Sequence, residues 1–237
     1  MHHETLRALM AVLIIVLVAS SCSIVPGARE PVAGLPPVER LGNTGSFTVE
    51  IDRAAGVTGE YSVPYLGGPY PAVVLAHDGS LPADQVKEEA RLLARHGIGV
   101  LEFGTTPDEA LRQYARAGAA VVGQPGISTS EAALVLLSGD HGPALEAHRR
   151  LSGYRALILM DPEATPELQQ FVNLDSPVAV FLDEARSEAD VAAWRDATSL
   201  VGARAEVVVL EQGETVAGLL SPERRRELVR IIVEHLQ

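Results

Sequence analysis

The sequence holds a single cysteine, Cys22, so no intramolecular disulfide can form in its 237 residues. Aromatic residues make up only 4 %, which leaves Val, Leu, Ile and Ala to build a core. Lysine is nearly absent: Lys87 is the only one, and arginine carries the rest of the positive charge. The formal charge of −12 excludes an ordinary nucleic-acid partner, whose phosphates would be repelled. No G-x-G-x-x-G or P-loop is present, nor any His/Asp/Glu cluster with ligand spacing, so neither metal nor other cofactor is expected. A hydrophobic fraction of 47 % argues against disorder across the whole chain.

Long apolar runs are also missing, with one short exception. An unbroken run from Ala8 to Ala19 follows a polar start containing His2, His3, Glu4 and Arg7. It is too short for a spanning helix and suits the h-region of a signal peptide over residues 1–21. The run ends at Ala19-Ser20-Ser21-Cys22, small residues before the lone cysteine. This resembles the bacterial lipobox, although Ala19 stands where that motif usually has Leu. The resemblance implies a diacylglyceryl group on Cys22, an extracytoplasmic protein, and the bacterial cell membrane as a partner through the N-terminal lipid. A signal peptide cleaved nearby, or an uncleaved short anchor, is the other reading. Residues 22–45 are rich in Pro and Gly without periodicity and read as a tether, leaving 46–237 as one domain.

Within that domain, alternating Ser46–Ile51 and then Val57–Val63 read as strands. Pro71–Ala76 is a continuous apolar run, suited to a strand buried on both faces of a parallel sheet. Val86, Ala90, Leu93 and Ala94 fall at helical spacing over 82–96, and Gly97 sits where a helix stops. Further strands are expected at 98–103, 119–122, 156–160, 178–182 and 206–210. Helices are expected at 107–116, 129–137 and around 191–200, with a last one opening at Ser221-Pro222 and burying Leu228, Ile231 and Ile232. Strands alternating with helices imply an α/β fold with an open, doubly wound, mostly parallel sheet.

The stretch Gly68-Pro69-Tyr70-Pro71-Ala72-Val73-Val74-Leu75-Ala76-His77-Asp78-Gly79 resembles the third strand and oxyanion turn of α/β-hydrolases. The nearest groups are the dienelactone hydrolases and the C-terminal domain of acyl-CoA thioesterases and bile-acid-CoA acyltransferases. Gly126-Ile127-Ser128-Thr129-Ser130-Glu131-Ala132-Ala133-Leu134 is similar to their nucleophile elbow, with Ser130 replacing the second glycine. The resemblance covers 57–237 as a layout and implies a three-layer sandwich, with Ser128 as nucleophile and His77, Asp78 and Gly79 forming the oxyanion loop. A plainer reading makes Ser128 and Glu131 a capping box. The register is also open, because Gly123–Gly126 would serve as the elbow with Pro125 at the nucleophile position.

The resemblance places the acid after the strand at 178–182, where Asp183 and Asp190 are the candidates. It places the base after the strand at 206–210, where Glu214 stands in place of histidine. Activation of a serine hydroxyl needs a proton acceptor near neutral pH, nearly always histidine. None occurs between His148 and His235. His141 and His148 follow the expected elbow helix, which would carry them to the far edge of the sheet, and His96 closes the first crossover helix. Two readings follow. One is a hydrolase-fold lipoprotein with a degenerate triad, binding a small acyl ligand or a protein partner. The other is an active esterase or thioesterase using Ser128.

Overall fold

The computed structural model describes residues 44–64, 70–124, 126–150, 154–162, 166–172, 174–202, 204–210, 215–221 and 224–236. All fall in the compact unit Leu35–Gln237. Cys22, the tether up to residue 43, Pro125 and Glu214 lie outside the described residues.

The described residues open with a hairpin, β1 (Thr44–Asp52) and β2 (Val57–Pro64), paired antiparallel. The apolar run after it forms β3 (Tyr70–His77), with Ala72 to Ala76 fully buried. Helix α1 (Ala83–Arg95) buries Val86, Ala90 and Leu93, and Gly97 ends it at φ +83° as expected. Then follow β4 (Gly99–Gly104), a 3₁₀ turn at Pro107–Glu109, α2 (Ala110–Val122) and β5 (Ile127–Leu136). The second half runs α3 (His141–Arg150), β6 (Tyr154–Met160), the short α4 (Leu168–Phe171) and β7 (Val178–Leu182). It closes with α5 (Glu188–Thr198), β8 (Ala205–Val209), the short α6 (Val216–Leu219) and α7 (Arg225–Leu236).

The strands make one sheet in the order β1-β2-β4-β3-β5-β6-β7-β8. Pairing from β4 through β8 is parallel, and β2 joins β4 antiparallel. Helices cover both faces, as the alternating pattern implied. On one face Tyr114, Ala117 and Val121 of α2, Leu145 of α3 and Trp194 of α5 pack together. On the other, Val86 and Leu93 of α1 meet Leu228 and Ile232 of α7. Among the described residues, no helix is long and apolar enough to cross a membrane.

Two elements differ from the sequence expectation. Residues 119–122 are the last turn of α2 rather than a strand, and 129–137 are largely β5 rather than a helix. Ala132 to Leu137 is a continuous apolar run buried on both sides between β3 and β6. Periodicity cannot distinguish such a run from a buried helix, and Ala and Leu favour helix only until the sheet claims them. Residues 119–122 look β-like alone, yet Tyr114, Ala117 and Val121 form a helical stripe facing the core. Gly118 lies under the Tyr154 ring, where a Cβ would come within 3.0 Å of Cζ. The Tyr154 hydroxyl donates to the Tyr114 carbonyl at 2.5 Å, which fixes α2 against β6.

His148, in the last turn of α3, is buried, and burial pushes its imidazole down to about 4. Above the unfolded value near 6.5 the native and unfolded chains are both neutral there. Below it the unfolded chain takes a proton that the native state resists, so stability falls as pH drops from about 6.5 towards 4. The loss amounts to about 3 kcal/mol at this one residue. Urea unfolding of wild type and His148→Gln at pH 7 and pH 4 checks this. The variant is expected to lack that part of the acid loss.

Candidate functional site

In a doubly wound sheet, ligands meet the crevice outside the carboxyl ends of the strands, where the chain order reverses. Here the reversal lies between β3 and β5, with β4 on the far side of β3. The turn after β3 and the turn after β5 therefore face one another.

The first of these turns is His77-Asp78-Gly79-Ser80. His77 is buried at the end of β3, and its Nε2 lies 3.1 Å from Oε1 of the buried Glu102 on β4. The Gly79 N–H donates to His77 Nδ1 at 3.2 Å, which leaves the ring proton on Nε2 to donate to Glu102. Both ring nitrogens are thus engaged in holding the turn. Gly79 takes φ +86°, a conformation that side chains rarely adopt. The Asp78 N–H donates to Ser138 Oγ at 3.3 Å, and the Ser80 N–H donates to Asp78 Oδ1 at 2.9 Å. Every N–H of residues 78 to 80 therefore has an acceptor within the chain.

The second turn, Leu137-Ser138-Gly139-Asp140, joins β5 to α3. The Ser138 hydroxyl donates to Asp78 Oδ1 at 2.6 Å and so crosses between the two turns. Burial pushes the Asp78 carboxyl up, but hydrogen bonds from Ser138 and Ser80 outweigh this and hold it below the usual carboxylate range. Gly139 is buried and takes φ +108°. A Cβ built there would lie 3.0 Å from Asp78 Cβ and 3.7 Å from Oδ2, so position 139 faces the first turn. Asp140 stands just before α3 and its Oδ1 accepts the Gly142 N–H at 2.9 Å, an N-cap bond. Gly139→Ala would force a side chain into a left-handed backbone and against Asp78. It is expected to cost about 1–3 kcal/mol in chemical denaturation.

Two further acidic positions lie along the same edge. Asp183 follows β7, and its Oδ1 accepts the Ala185 N–H in a local turn. Asp161 follows β6 at φ +43°, the only positive φ outside glycine among the described residues. Its Oδ1 accepts from Arg186 Nε at 2.9 Å and from the Asp183 N–H at 3.2 Å. Arg186 also donates to the Pro162 carbonyl at 2.7 Å. Asp190 is used otherwise: with Ser187 it forms a reciprocal cap for α5, at 2.8 Å side chain to side chain and 3.1 Å through its N–H.

The chain thus brings together His77, Asp78 and Gly79, with Asp183 farther along the same edge. It does not bring Ser128 to them. Ser128 is the second residue of β5 and lies at the opposite end of that strand from Ser138. Glu214 lies outside the described residues. Since β5 ends at Leu136, His141 opens α3 at the same edge as His77, not at the far edge as expected. Its ring is buried edge-on against Trp194, with centroids 4.9 Å apart, and burial lowers its pKa. Sequence reasoning missed Ser138, Gly139, Asp140, Asp161 and Arg186. The available signal was turn chemistry, Ser-Gly-Asp and Asp-Pro, each directly after an apolar run.

The strand order, the crossovers and the paired turns define the α/β-hydrolase fold. Similar solved structures include the dienelactone hydrolase-like promiscuous phosphotriesterase P91 from metagenomic libraries, 18 % identical, with TM-score 0.64 over 82 % of this chain and 99 % of that one. A dienelactone hydrolase from Anabaena variabilis is 14 % identical, with TM-score 0.62 over 82 % of this chain and 97 % of the other. The esterase Est22 is 13 % identical, with TM-score 0.64 over 82 % and 81 %. No family model matches the sequence. No curated protein matches it either.

Proposed function

We propose that this is an exported, lipid-anchored protein of α/β-hydrolase fold that binds a small ligand or a protein partner with little or no hydrolytic activity. The observation carrying the reading is Gly139. A nucleophile elbow sets its reactive residue on a strained turn between strand and helix. In this chain the left-handed residue between β5 and α3 is a glycine, with no side chain to attack a carbonyl.

Two further observations agree with it. An oxyanion hole needs N–H groups free to meet a developing negative charge. Those of Asp78, Gly79 and Ser80 are already committed, and the Asp78 carboxylate would repel such a charge. In the sequence, the stretch after β8 carries Glu214 where the resemblance calls for histidine. The loss of a base from such a triad removes several orders of magnitude of rate. Membrane attachment rests on the signal-like leader and Cys22.

The alternative, an active esterase using Ser128, finds Ser128 on β5 at the end away from the His77 turn. Turnover of p-nitrophenyl esters and acyl thioesters tests the choice. Wild type and Ser128→Ala are expected to match the buffer rate. Turnover well above buffer by wild type, whether or not Ser128→Ala abolishes it, would defeat the proposal.

A further inference from the structure

Resting on that reading, we infer that Asp78 is an internal stand-in for an anionic ligand, and that it bars anions from the donors of the two turns. The Ser138 hydroxyl and the Ser80 N–H converge on one atom, Asp78 Oδ1, from 2.6 and 2.9 Å. They belong to the two turns that flank the switch in strand order, so the oxygen between them sits where a bound ligand would meet the sheet edge. The Ser80 bond closes a local turn two residues on, whereas the Ser138 bond reaches across from the second turn, and donors of both kinds also hold the oxygen of a bound carboxylate. Here the chain supplies that oxygen itself.

The geometry around Asp78 keeps it there. Its backbone N–H is tied to Ser138 Oγ, and the next N–H is tied to His77, which is anchored in turn on Glu102. Gly139 carries no side chain, and the Asp78 side chain lies over it, with Cβ 3.0 Å and Cγ 3.5 Å from where a Cβ would be. An incoming anion would compete with a tethered carboxylate for the same two donors and meet its charge at contact distance.

Chemical rescue tests this on the full chain. Asp78→Ala removes the carboxylate and releases both donors, and formate matches the missing group in size and charge. The thermal midpoints of wild type, Asp78→Asn and Asp78→Ala are compared in about 50 mM sodium formate and in sodium chloride of equal ionic strength. Formate is expected to raise the Asp78→Ala midpoint by about 3–5 °C relative to chloride, as millimolar binding to the native state would. Wild type and Asp78→Asn, whose side-chain oxygens still fill the position, are expected to move by less than about 1 °C. An equal response in all three, or none in a cooperatively unfolding Asp78→Ala, overturns the inference. Ester turnover by wild type would instead count against the functional reading and leave this comparison intact.

Discussion

Replacement of Cys22 by alanine is expected to move the protein from the membrane fraction to the soluble fraction. In the proposed mature form, Cys22 carries two acyl chains on its diacylglyceryl group. Each buried methylene contributes about 0.8 kcal/mol, and two chains suffice for stable anchoring where one does not. Little else would hold the domain to a bilayer. Its formal charge of −12 is repelled by anionic lipid, and no described helix can span. Fractionation of cells expressing wild type and Cys22→Ala measures the effect. Unchanged membrane retention of the variant would refute the lipid anchor and favour an uncleaved segment.

The largest single effect on stability is expected at Trp194. This is the only tryptophan and is fully buried on α5. Phe171 of α4 stands edge-on to it at 5.8 Å and His141 of α3 at 4.9 Å. One ring therefore joins three helices on this face of the sheet. Trp194→Ala leaves a cavity between rings and helices that are held in place by their own packing. It is expected to cost about 3–5 kcal/mol in urea unfolding, well above the cost of an average substitution. A loss below about 1 kcal/mol would mean that this helical layer does not pack as described.

Much of the fold was legible because parallel strands carry their own signature. The run Ala72–Ala76, the helical spacing of Val86, Ala90 and Leu93, and Gly97 at the end of α1 each have one local solution. The middle of the chain was not legible for the same physical reason. Ala132–Leu137 is apolar at every position, and only its place between β3 and β6 makes it a strand. Misreading that one element moved the expected elbow from the end of β5 to its beginning. A helix at 129–137 would put Ser128 at the elbow and His141 at the far edge, whereas β5 puts Ser138, Gly139 and His141 at the edge of the His77 turn. The turn after β3 was readable because His77-Asp78-Gly79 closes an unmistakable strand. What Asp78 touches could not be read, since Ser138 lies 60 residues away in sequence.

The Arg186–Asp161 pair was hidden in the same way. Asp161-Pro162 marks a turn but not a left-handed aspartate, and its partner arrives from beyond the next strand. Asp190 illustrates the converse. It satisfied the expectation of an acid after β7, yet Ser187-x-x-Asp190 spells a helix cap, and that is how the chain uses it.

The central claim is that the crevice between the β3 and β5 turns keeps the layout of a hydrolase without an activated nucleophile. Intact-protein mass spectrometry after exposure to an alkyl fluorophosphonate tests it most directly, because an activated serine is phosphonylated whatever its natural substrate. Unmodified mass in a preparation that still unfolds cooperatively is the predicted result. A single stoichiometric adduct, lost on Ser138→Ala or Ser128→Ala, would contradict it.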